Sequence, residues 1–129
     1  MPAVAMLHEE DPRQIVLDAL GDISKCEVFH NQVLCAVYER PEKTKSGIFL
    51  TDTTREEDRH QGKVGLIVKM GRLAFKSDGK WQWPDDMGLG DWVYFRVSDG
   101  WNTTVNGKIC RMLRDEDFKG RIQEPDQVW

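Results

Sequence analysis

From about residue 31 the hydrophobic signal switches to period two, and strand-like runs dominate. That period confines most of the chain to β-structure, because successive strand residues face opposite sides of a sheet. The run "QVLCAVYE", residues 32–39, is apolar on both faces, as a central strand of a barrel or sandwich must be. In "KVGLIVKMG", Val64, Leu66 and Val68 fall on one side and Gly65, Ile67 and Lys69 on the other. In "DWVYFRV", Val93, Phe95 and Val97 oppose Trp92, Tyr94 and Arg96. Two further pairs of runs are joined by turn dipeptides, Asp78-Gly79 in "LAFKSDGKWQW" and Asn106-Gly107 in "WNTTVNGKICRML". Both dipeptides tolerate the positive φ angles of a type I′ hairpin turn. Short strands with turn signals at near-regular spacing predict a small β-barrel or sandwich.

Ahead of the strands, residues 11–21 carry the marks of a short helix. Asp11 suits the N-cap, Pro12 the first helical position and Gly21 the exit. Ile15, Val16, Ala19 and Leu20 would form an apolar stripe that packs on the domain or on a neighbour. A chain of 129 residues is long enough for one domain with its own core. No run of 18 apolar residues occurs, which argues against a helical membrane span. The start "MPAVAMLHEEDPRQ" lacks the positive and long apolar regions of a secretory signal, so a cytoplasmic setting is expected. The net charge is −4 with Lys and Arg scattered rather than striped, which disfavours nucleic acid as a partner.

Neither metal chemistry nor catalysis finds a motif. The three cysteines, Cys26, Cys35 and Cys110, form no CxxC pair and are odd in number. They read as reduced thiols, with Cys35 and Cys110 as small core residues inside strands. Cys26 and His30 are four apart, but the segment lacks the helical pattern that would place them on one face. His8, His30 and His60 have no motif-level nucleophile or acid beside them, and no Gly-rich phosphate loop is present. No catalytic residue, metal or cofactor is therefore expected. The acidic clusters "REED", "PDD" and "RDED" read as solvated turns.

One stretch resists a purely structural reading. "ERPEKTKSGIFLTDTTREEDRHQ", residues 39–61, is dense in charge: eleven of the twenty-two residues from 39 to 60 are Asp, Glu, Lys or Arg. Such a segment cannot bury enough apolar surface to offset its ordering entropy, so on its own it is expected to be mobile. Yet it carries Ile48, Phe49 and Leu50 in succession. Composition leaves two readings open: a short strand tucked onto the barrel, or a tripeptide displayed for another molecule.

The order of features along the chain resembles the co-chaperonin (GroES, chaperonin-10) family. "FHNQVLCAVYERPEKTKSGIFLTD" is followed by "QGKVGLIVKMGR", a hairpin, "GLGDWVYFRVSDG" and "KICRMLRDEDFKGRI". Lys45, Ser46 and Gly47 precede the tripeptide, as in the family's mobile loop, and Gly62, Val64, Gly71, Arg72, Gly90 and Asp91 fall in place. The resemblance runs over roughly residues 29–122. It implies a mainly β fold: a GroES-like, partly open β-barrel at 27–122 with a mobile loop and a roof hairpin. Residues 1–26 would be an N-terminal extension with the short helix, and 123–129 a C-terminal tail.

It further implies a homo-oligomeric ring, usually of seven, in which the first strand of one subunit pairs with the last strand of the next. Gly47, Ile48, Phe49 and Leu50 would bind the apical domains of a chaperonin ring. The hairpin of residues 73–83, with Asp78, Gly79, Trp81 and Trp83, would form the roof. The extension, the bulky Phe49, five tryptophans and the tail depart from the family pattern and suggest a divergent, bacteriophage-encoded member serving a capsid protein. Two alternatives stand beside this reading: a GroES-like capsid decoration protein of the virion, and a nucleic-acid-binding barrel whose exposed Trp rings stack bases. In the plainer account Trp92 and Trp101 fill barrel or interface space.

Overall fold

The computed structural model describes residues 11–39, 63–76, 83–84 and 86–125. Among these described residues, six antiparallel strands follow one helix, α1, at Pro12–Leu20. They are β1 (Gln32–Val37), β2 (Val64–Met70), β3 (Trp92–Tyr94), β4 (Trp101–Val105), β5 (Lys108–Arg114) and β6 (Gly120–Ile122). They make one open sheet in the order β4-β5-β1-β2-β3-β6. The mainly β architecture expected from the period-two pattern is the one observed.

The strand that is apolar on both faces takes a central place. β1 pairs with β2 from Val33↔Met70 to Val37↔Gly65 and with β5 from Gln32↔Arg114 to Ala36↔Cys110. Its alternate residues feed two cores, one on each face of the sheet. Leu34 and Ala36 join Val64, Leu66, Val68, Trp92 and Cys110 in the first. Val33 and Cys35 join Ile67, Val93, Phe95 and Leu113 in the second. The β1–β2 register shifts between Leu34 and Cys35. Gly65 sits against that irregularity: a Cβ built on it would lie 2.9 Å from Cys35 Cβ and 3.2 Å from the Ala36 carbonyl oxygen. No larger residue fits that approach without moving the neighbouring strand.

The Asn106-Gly107 hairpin forms as expected. β4 and β5 pair from Trp101↔Met112 to Val105↔Lys108, and the two turn residues have φ of 51° and 80°. Both lie in the left-handed region that a type I′ turn requires. The helix also follows its sequence marks. The Asp11 side chain accepts from the Arg13 backbone N–H, and the Gly21 N–H closes onto the Leu17 carbonyl. Its inner face is narrower than the expected stripe, however: Val16 and Leu20 are buried, whereas Ile15 and Ala19 are exposed. Two buried positions one helical turn apart define a single line of contact, which burying Val16 and Leu20 stabilises by about 3–6 kcal/mol at about 1.5–3 each.

Three other expectations are corrected. Phe95 is buried, but β3 ends at Tyr94 and Val97 turns out to solvent in the bend that follows. Leu73, Ala74 and Phe75 lie in a turn, so no strand leads toward Asp78 at these positions. The acidic cluster at 114–117 is not wholly solvated. It forms a 3₁₀ turn, Asp115–Asp117, in which Asp115 is buried. Hydrogen bonds explain that burial: the Asn31 side-chain amide donates to Asp115 Oδ1 at 2.9 Å and the Phe75 N–H to Oδ2 at 3.0 Å. A buried cation has a comparable place on β5. Arg111 donates to the carbonyls of Val97 at 2.7 Å and Asp99 at 3.2 Å, and its guanidinium lies 5.5 Å from the Phe95 ring centroid.

Cys35 and Cys110 are core residues, as read from the sequence, and Cys26 is half-buried. Burial pushes the Cys35 thiol well up and the Cys110 thiol up to about 11. Both thiols therefore stay protonated and unreactive near neutral pH. Titration with an aromatic disulfide should therefore detect one reactive thiol, Cys26, in the native chain and three after denaturation. Rapid release of more than one equivalent from folded protein would contradict this burial. Gly65→Ala should lower stability by about 1–3 kcal/mol in urea unfolding, through overpacking at the β1–β2 approach.

Candidate functional site

The described residues hold no group of three or more His, Cys, Asp or Glu arranged to bind a metal. The sequence instead directs attention to the connections between strands. Gly47, Ile48, Phe49 and Leu50 lie outside the described residues, as do Asp78, Gly79 and Trp81. What the structure does place is the pair of stems from which these segments depart.

The first stem joins the two central strands. The Tyr38 N–H donates to the Val64 carbonyl at 2.9 Å, carrying the β1–β2 ladder one residue past β1. On the other flank of β2, the Phe95 N–H donates to the Lys63 carbonyl at 2.9 Å. The Tyr38 ring is buried and meets Trp92 edge-on, with centroids 5.6 Å apart. Segment 40–62 thus begins and ends at neighbouring positions in the middle of the sheet.

A charged residue locks this stem. Lys108, the first residue of β5, is only 8% exposed. Its ammonium donates to the Val37 carbonyl at 2.9 Å and to Glu39 Oε2 at 2.7 Å. A buried ammonium is tolerated because both a carbonyl and a carboxylate replace its water. Sequence reasoning missed Lys108. Its position directly after the Asn106-Gly107 turn is the one signal, since a strand that starts there must point a side chain toward the neighbouring β1.

The second stem supports segment 77–82. The Gly71 N–H donates to the Gln32 carbonyl at 2.9 Å and the Leu73 N–H to the His30 carbonyl at 3.0 Å. Phe75 follows with φ of 57°, and the Asp115 carboxylate holds its backbone N–H. Phe75 then meets Trp83 edge-on at 5.1 Å and Phe118 at 5.8 Å. Trp83, one of the residues expected in the roof, is half-buried, and its ring lies against Phe75 on the other side of segment 77–82. Edge-to-face aromatic pairs of this kind contribute about 0.5–1.5 kcal/mol beyond their buried area.

The remaining sequence candidates scatter. Trp92 fills the first core, but Trp101 on the edge strand β4 is 58% exposed and fills no barrel space. Cys26 and His30 border a shallow groove of about 320 Å³ with Phe29, Lys69, Met70 and Arg72, on a segment that is not helical.

The family described as the chaperonin 10 kDa subunit matches residues 25–122. The co-chaperonin GroES of Pelagibacter ubique is 31% identical over 96 residues, covering 74% of this chain and 95% of that protein. That of Halothermothrix orenii is 33% identical over 95 residues, or 74% and 94%. That of Pelobacter propionicus is 30% identical over 99 residues, or 77% and 99%. The matched region contains both stems, whereas α1 precedes it.

If Lys108 locks the first stem, Lys108→Met should lower stability by about 1–3 kcal/mol, since the Val37 carbonyl and Glu39 lose a charged donor. A double-mutant cycle with Glu39→Gln should show coupling between the two positions. An unchanged urea midpoint in Lys108→Met would remove the lock from this account.

Proposed function

This chain belongs to the chaperonin 10 kDa subunit family, and on that footing we propose that it is a co-chaperonin whose segment 40–62 docks on a chaperonin ring through Ile48, Phe49 and Leu50. The observation that carries this reading is the position of the tripeptide. It lies on a connection rich in charge, and that connection springs from two hydrogen-bonded central strands inside the region matched by the family. The stems give such a segment a firm base, and its charge keeps it soluble.

Magnitudes favour a multivalent lid. Burying three large apolar side chains contributes roughly 4.5–9 kcal/mol, at about 1.5–3 each. Ordering the segment takes back about 2–5 kcal/mol, and association costs more. One segment alone would bind weakly. Several on one homo-oligomer would bind well through effective concentration and leave together when the partner changes shape. The open sheet supports assembly, since β6 is bonded to β3 on one side only among the described residues. In this reading the protein performs no chemistry of its own; it covers a chamber in which another protein folds. Residues 73–83 contribute the roof, with the Phe75–Trp83 contact at its foot. No described helix is long and apolar enough to cross a membrane.

The double variant Ile48→Ser, Leu50→Ser should lose suppression of a bacterial chaperonin's ATP turnover while its thermal midpoint stays within about 2 °C of the parent, since neither side chain would support the core. A core-sized drop in stability would instead make the tripeptide a packed strand and sink the docking role.

A further inference from the structure

The helix that precedes the family match is wired to the stem of segment 40–62 through one turn. Asn106 stands in the β4–β5 hairpin, and its side-chain amide donates to two carbonyls at the end of α1, those of Leu20 at 2.8 Å and Asp22 at 3.0 Å. Those carbonyls would otherwise lie beyond the reach of the helix's own hydrogen bonds. Two residues later, Lys108 holds the Val37 carbonyl and Glu39. The same turn thus grips the helix with one side chain and the stem with the next but one. Packing runs in parallel: Val16 and Leu20 share the first core with Tyr38 and Trp92, the aromatic pair at the stem. A second tie lies toward the other end of the helix, where Arg13 Nε donates to the Gly90 carbonyl at 2.9 Å, two residues before β3.

We propose that α1 is an intramolecular strap: docked, it keeps the β1–β2 stem closed at Tyr38 and Val64, and undocked, it lets the stem open without unfolding the sheet. The helix suits this role because its grip is confined to one line of buried side chains and a few polar ties at its ends. A nine-residue helix is marginal on its own and, once its line of contact is broken, opens more readily than central strands buried on both faces. Release of α1 would loosen the stem at Tyr38 and Val64. The proposal concerns the isolated chain and does not rest on the identity of any partner.

Asn106→Gly isolates the link. Glycine keeps the left-handed turn and removes only the side-chain amide. Amide hydrogen exchange on the full-length protein should then quicken about tenfold at Gly21 and at Tyr38, the reporters of helix and stem, and stay unchanged at the β3–β6 pairing. Leu20→Ala, which loosens docking by a different route, should give the same pattern. Faster exchange at Gly21 with none at Tyr38 would overturn the proposal. So would no change at either position in Asn106→Gly, or equal acceleration throughout the sheet, which would make α1 an ordinary part of one cooperative unit.

Discussion

The burial of β1 on both faces is the constraint from which the rest of the structure follows. A strand with apolar side chains above and below must be flanked by two other strands and covered twice. β2 and β5 supply the flanks, and two cores supply the cover. Close contact between β1 and β2 requires glycine at residue 65, and the register of the pair shifts between Leu34 and Cys35. Once this triplet of strands is set, β3 and β4 attach as outer neighbours, and β6 extends the sheet beyond β3.

The stems that flank segments 40–62 and 77–82 are each fastened by a buried ionisable residue. Lys108 fastens the first through a carbonyl and a carboxylate, and Asp115 fastens the second through a backbone N–H and an amide. Such groups contribute little net stability, because desolvation offsets much of the attraction. Their effect is geometric: each is satisfied only when two separate parts of the chain meet at one place. Each buried group therefore fixes where the described chain leaves and re-enters the sheet.

The helix adds a layer that the family match does not cover. Its contact with the hairpin turn ties the start of the described chain to the β4–β5 end of the sheet, residues far apart in sequence. Through the shared core it also reaches the aromatic pair beneath the first stem. A closing element of this type acts by covering apolar surface that the sheet leaves open on one face.

Much of the fold was legible from the chain alone. The period-two runs located β1, β2 and β3, Asn106-Gly107 located the hairpin, and Asp11, Pro12 and Gly21 bounded the helix, because each of these signals is local. The order of motifs also led to the family. Local signals failed where a side chain's surroundings come from distant segments. Asp115 reads as a solvated acid until Asn31 and Phe75 arrive at its oxygens, and Ile15 reads as a core residue until the sheet selects the line through Val16 and Leu20. Lys108 looks like a surface cation until β1 brings the Val37 carbonyl to it. Sequence by itself determined which backbone conformations were accessible and which faces were apolar, since steric and hydrophobic preferences act over a few residues. Tertiary structure alone decided which polar groups lost their water and what replaced it, since desolvation depends on every segment that packs around a site.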